Sequence, residues 1–166
     1  MSRKSNQLAS TIGKFQSLPT PLRKAAVSQL FGFVVKFFGT AGIRVDEISQ
    51  NRAVMTLKNR RKVQNHIGTV HAAAMSLLAE SCTGMLLGMN VPDDKLPLMK
   101  TMSFNYVKRA APGELVAEAT LTDEQLERIY SDDKGEVTVQ IKITDVKGVE
   151  PVLCDMTWAW IPKKRG

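Results

Sequence analysis

The first 45 residues of the chain contain no aspartate or glutamate. They carry Arg3, Lys4, Lys14, Arg23, Lys24, Lys36 and Arg44, whereas residues 46–166 hold sixteen basic and sixteen acidic side chains, so the formal net charge of +7 belongs to the N-terminal quarter. Charge concentrated in this way does not describe a nucleic-acid-binding fold, whose basic excess covers the folded surface. No set of stacking aromatics accompanies the basic pairs further along, and nucleic acid is not expected as a partner. Cysteine is scarce too, since Cys82 and Cys154 cannot make a disulfide scaffold. The most apolar N-terminal stretch, residues 22–38, is broken by Lys24, Ser28, Gln29 and Lys36, well short of the about 20 residues that a membrane span needs. No apolar core followed by a small-residue cleavage site marks a secretory signal, and Pro19 and Pro21 interrupt the amphipathic pattern of an organelle transit peptide. A reducing, cytoplasmic setting is the expectation.

Missing motifs narrow the chemistry. His66, His71, Cys82 and Cys154 form no CxxC or HExxH pattern, so no metal site is expected. The phosphate-binding patterns GxGxxG and GxxxxGK[ST] are absent, as is the serine-hydrolase elbow GxSxG.

What is present is 166 residues, 43% hydrophobic and 23% charged, the length and composition of one globular domain. Residues 22–38 read as a helix, with the two prolines where it would begin. It has apolar side chains on most faces. Either it covers the core or, with Phe31, Phe33, Phe37, Phe38 and basic flanks, it lies at a membrane interface. The packing role is the plainer expectation. Residues 43–48 and 52–58 then read as a β-hairpin, Asn59 to Val70 as a polar loop, and His71 to Met89 as a long helix of Ala, Leu and Met. Four more strands are expected beyond Pro97, each alternating around one covered face: Met102, Phe104 and Tyr106; Leu115 to Leu121; Val137 to Ile143; Cys154 to Trp160. A short helix from Thr122 to Tyr130 carries capping-box spacing at Thr122 and Gln125. This order gives an α+β class, with an antiparallel sheet wrapped around a long central helix and an extra N-terminal helix. Residues 1–42 form a basic helical extension and residues 43–166 the main domain.

Glu80 is the only charged side chain between His71 and Asp93. A carboxylate among apolar neighbours must be paired, near water, or protonated through a raised pKa, and the last suits a catalytic base. Alternatively, it shares a thin polar stripe with Ser76 and Thr83 that faces solvent or a subunit boundary. The segment Asn65-His66-Ile67-Gly68-Thr69-Val70-His71-Ala72-Ala73 runs into the helix N-terminus, where unpaired backbone N–H groups suit a developing oxyanion. Asn65 can add an amide donor there. His71 either orients substrate or hydrogen-bonds its own loop.

These residues resemble the hotdog-fold acyl-CoA thioesterases of the phenylacetate-degradation type. That family carries Asn-x-x-Gly-Thr-x-His-Gly-Gly running into the central helix and an acid nine residues after the histidine. Here Asn65, Gly68, Thr69 and His71 are followed by Ala72 and Ala73 in place of Gly-Gly, and Glu80 takes the acidic position. The stretch Tyr106 to Glu114, YVKRAAPGE, is similar to the family's strand-ending segment, and the likeness spans about residues 43–161. It implies a hydrolase acting on a fatty or aryl acyl-CoA thioester. The Ala72 N–H would polarise the carbonyl, Asn65 and His71 would position the reacting group, and Glu80 would attack the carbonyl or activate water. A Ser or Thr often assists on the third strand in that family, and the nearest positions here read Met99 to Ser103.

Nine helical residues from His71 to Glu80 rise about 13 Å and turn half a revolution. The resemblance accordingly implies a homodimer or homotetramer whose sites are shared between subunits. CoA enters as part of the substrate, not as a cofactor, and Arg60, Arg61, Lys108 and Arg109 are candidate contacts for its phosphates. The other reading is a non-catalytic acyl- or lipid-binding protein of the same fold, in weak contact with a membrane surface through its N-terminal helix.

Overall fold

The computed structural model describes residues 6–163; Arg3 and Lys4 lie outside them. Helices α1 (Gln7–Gly13), α2 (Thr20–Val34) and α3 (Lys36–Ala41) come first, then strands β1 (Arg44–Ile48) and β2 (Arg52–Lys58). The long helix α4 (Ala72–Gly88) follows, then β3 (Lys95–Tyr106), β4 (Glu114–Thr120), α5 (Asp123–Ser131), β5 (Gly135–Asp145) and β6 (Val152–Pro162). The six strands form one antiparallel sheet in the order β1-β2-β4-β5-β6-β3. It curls around α4 in the hotdog arrangement.

The sequence explains why the helix sits so deep. The inward side chains of β4 are Leu115, Ala117 and Ala119, all fully buried. The two alanines let the helix approach the sheet backbone until the Cys82 thiol lies 3.5 Å from the Ala53 carbonyl and 3.7 Å from that of Ala117. Leu78, Met85 and Leu86 of α4 share one buried core with Met55, Leu57, Met156 and Trp160 of the sheet. Helix α5 begins with the expected capping box, Thr122 accepting from the Gln125 N–H and the Gln125 side chain accepting from that of Thr122.

Three features depart from expectation. Residues 22–38 are not one helix: the chain breaks at Val35 (φ −104°, ψ 89°), and α3 folds back on α2. Gly32 and Gly39 make the turn possible, because a Cβ on Gly39 would lie 2.6 Å from the Gly32 carbonyl oxygen. Phe31 and Phe38 then meet edge to face at 5.4 Å. Val27, Phe38 and Ala41 are buried in the main core, which is the packing role. Secondly, α1 has no counterpart in the sequence reading. Asn6 caps it, accepting from the Ala9 N–H, and its amide also donates to the Gly88 and Val91 carbonyls. Thirdly, β3 starts at Lys95 and is an edge strand with a bulge between Met99 and Thr101, a position that tolerates Pro97. Its inner face is not covered: Met102 and Tyr106 stay about half exposed. Among the described residues no helix is long and apolar enough to cross a membrane.

Candidate active site

The loop into α4 is built on Asn65. Its side-chain oxygen accepts from the Ile67 and Thr69 N–H groups, and its amide donates to the Thr69 hydroxyl at 2.8 Å. The side chain expected to offer a donor to substrate thus holds the loop in shape. Gly68 sits at φ +76°, a left-handed conformation that favours glycine, and its carbonyl accepts from Asn59. The His71 N–H then donates to the Val63 carbonyl, which aims the chain into the helix.

The first four N–H groups of a helix have no partner within it. In α4 three of the four are satisfied: the His71 N–H donates to the Val63 carbonyl, that of Ala73 to His71 Nδ1 and that of Ala74 to the His71 carbonyl. The Ala72 N–H has no acceptor among the described residues. One donor therefore remains at the positive end of a 17-residue helix dipole. Ala72 and Ala73 are exposed and need no glycine conformation, since among the described residues only glycines have a positive φ. With Nδ1 accepting, neutral His71 carries its proton on Nε2 and can donate outward. Beside it lies an apolar cavity of about 180 Å³, lined on one side by His71, Ala74 and Leu77 and on the other by Phe37 and Ala41 of α3.

Glu80 faces a second cavity, of about 170 Å³, between Phe31 and Val35 above and Gly84, Met85 and Trp158 below. No hydrogen bond or ion pair reaches its carboxylate among the described residues, and burial pushes its pKa above the ordinary value. Ser81 lines the same cavity, and its buried hydroxyl is likewise unpartnered. Thr83 is not on a solvent-facing stripe: it is fully buried, donating to the Ala79 carbonyl and accepting from the Trp158 indole. The cavities at His71 and Glu80 share no lining residue, so one chain does not bring those two side chains together.

Residues 23–161 match the family described as a domain of unknown function, DUF4442. The chain belongs to that family. No curated protein matches it. Among solved structures it is similar to a Pseudomonas aeruginosa protein of unknown function described as a probable thioesterase, with 22% identity, a TM-score of 0.74, and 88% of this chain and 97% of that one covered. A Haemophilus influenzae thioesterase is 16% identical, with a TM-score of 0.67 and coverage of 84% and 90%. A mutant of a Staphylococcus aureus thioesterase is 20% identical, with a TM-score of 0.65 and coverage of 76% and 99%. At these identities the likeness is one of fold.

The DUF4442 chain places its candidate cations around the Asn65 loop. Arg60 and Arg61 are exposed at its start, and Arg109 reaches the Ile67 carbonyl at 3.4 Å. Lys108 is exposed next to it. His66 is exposed too, with no side-chain partner among the described residues. No group of three or more His, Cys, Asp or Glu is placed to hold a metal among the described residues. Two residues that the sequence reading left aside belong to this region. The Tyr106 hydroxyl, on the open face of β3, lies 2.8 Å from the Ser76 hydroxyl and donates to the Ala72 carbonyl. Tyr106 stood in the YVKRAAPGE segment, and Ser76 one helical turn from both Ala72 and Glu80. That spacing was the available signal.

Proposed function

We propose that this DUF4442 protein hydrolyses acyl thioesters, with acyl-CoA as the substrate class, at sites built between two copies of the chain. The observation that carries the reading is the single unsatisfied Ala72 N–H at the start of α4, the donor that a thioester oxyanion requires. The thioester carbonyl accepts from Ala72, and His71 Nε2–H lies beside it. Glu80 of the partner subunit takes a proton from water, whose oxygen attacks the carbonyl carbon. The tetrahedral intermediate collapses with cleavage of the C–S bond, and the thiolate takes the proton back, giving a carboxylic acid and a thiol. A carboxyl raised by burial is matched to that proton transfer.

Two features support the shared site. His71 and Glu80 line separate cavities within one chain. Strand β3 is an unpaired edge whose inner face, Met102, Phe104 and Tyr106, is left partly or largely open, and a second copy pairing there would close it. Arg60, Arg61, Lys108 and Arg109 surround the loop at which the CoA phosphates would lie. The thioesterases among the structural neighbours favour the same class of reaction. The test is thiol release from short, long and aryl acyl-CoAs by the parent and by Glu80→Gln at equal protein. Release that depends on Glu80 is expected. No release above buffer from folded protein would overturn the reading and leave acyl binding without turnover.

A further inference from the structure

The break at Val35 leaves a prominent apolar tip. Phe33 is 84% exposed, Val34 69% and Phe37 63%, the highest values among the large hydrophobic residues. Isolated exposed apolar side chains need no explanation, but three together at a helical turn do. The tip is built from segments without a carboxylate. Residues 1–45 contain none, and residues 59–79 beside α3 contain none either; the next acid, Glu80, lines the cavity under Phe31 and Val35. Lys36 stands between Val35 and Phe37. Lys62 lines the same cavity as Phe37, and its Nζ lies 3.1 Å from where a Cβ on Gly42 would be. Neither lysine is in an ion pair among the described residues, unlike Lys24 with Asp46 and Arg44 with Glu114.

We infer that the α2–α3 tip docks the protein on an anionic phospholipid bilayer. Phe33, Val34 and Phe37 enter the headgroup–acyl boundary while Lys36 and Lys62 meet lipid phosphates, the division of labour of an interfacial anchor. Both lysines are exposed, and an anionic surface complements them. Phe37 also walls the cavity at His71, so a docked molecule holds the mouth of that cavity at the membrane. An amphiphile partitioned in the bilayer would reach it without crossing bulk water. Docking does not depend on the thioesterase reading and can be measured without turnover.

The experiment is flotation of the full chain with vesicles of phosphatidylglycerol and phosphatidylcholine or of phosphatidylcholine alone, at low and high salt. Binding to the anionic vesicles is expected, reduced at least about tenfold by Lys36→Glu with Lys62→Glu and by high salt. Phe33→Ser, at a side chain that packs against almost nothing, is expected to cost about tenfold in binding with the melting temperature unchanged. Absent binding, equal binding to both vesicle types, or binding indifferent to Phe33→Ser would overturn the proposal. So would a shift of the parent's oligomeric state by Phe33→Ser with no vesicle binding, since the tip would then be a contact between copies.

Discussion

Replacing Ala72 by proline tests the proposed oxyanion site with little disturbance elsewhere. Proline at the first helical position deletes an N–H that makes no helical bond, and the Ala72 N–H has no acceptor among the described residues. Proline also requires an extended residue before it. His71, at φ −65° and ψ 143°, already has that conformation. The variant is therefore expected to keep the parental helix content by circular dichroism and to melt within about 2 °C of the parent. Loss of one oxyanion donor costs about 10²–10³ in kcat, or about 2.7–4 kcal/mol of transition-state stabilisation. The ring carbon also stands where the N–H was, so activity falls if the carbonyl sits there at all. The assay is thiol release from the acyl-CoA that the parent turns over fastest, with Ala72→Gly, which keeps the N–H, as the companion expected to stay within a few-fold. A folded Ala72→Pro variant retaining more than about a tenth of the parental kcat would refute the placement of the carbonyl at this N–H.

Other perturbations reach the surrounding frame. Thr83→Val leaves the buried Trp158 indole N–H without its acceptor and should cost about 1–3 kcal/mol in urea unfolding, while Thr83→Ser should restore most of it; a loss below about 0.5 kcal/mol would sink the argument. Gly39→Ala drives a Cβ toward the Gly32 carbonyl and should cost about 1–3 kcal/mol by the same measurement, with unchanged stability counting against the close contact. Glu80 is expected to make stability fall with rising pH. Its carboxyl titrates above the ordinary 4.5 in the folded chain, so the folded state holds that proton more tightly than the unfolded state does. Stability is then fullest below 4.5 and is lost as pH rises toward the folded value. Glu80→Gln should melt with the parent at pH 4 and above it at pH 8. Parallel melting curves at both pH values would contradict the burial argument.

The legible parts of the fold were those set by local pattern. An unbroken run of Ala, Leu and Met, with a histidine cap before it, placed α4 to within a residue at each end. The alternation Leu115, Ala117, Ala119 marked β4, and Thr122 with Gln125 marked the start of α5. What stayed illegible depended on distant partners. The apolar pattern of residues 22–38 continues through Val35 without a sign of the break, and only the pair Gly32 and Gly39 hints at two helices meeting. Alternation of Met102, Phe104 and Tyr106 shows that they share a face but not that anything covers it. Thr83 read as part of a polar stripe because its acceptor role depends on a tryptophan 75 residues away. At the candidate site, a chemical reading of Asn65 favoured a donor to substrate, while its actual partners are three groups within four residues of its own loop.

The clasp made by Asn6 bears on timing. Its amide grips carbonyls 82 and 85 residues further along the chain, so α1 cannot dock until α4 has formed and ended. Contacts of such long separation close late in folding. The helices that follow α1 supply one wall of each cavity, through Phe31 and Val35 above Glu80 and through Phe37 and Ala41 beside His71. Release of that one side chain would therefore free α1 and leave those walls in place, since α2 and α3 are held by their own buried residues Val27, Phe38 and Ala41, and the segment would open locally at far less cost than unfolding.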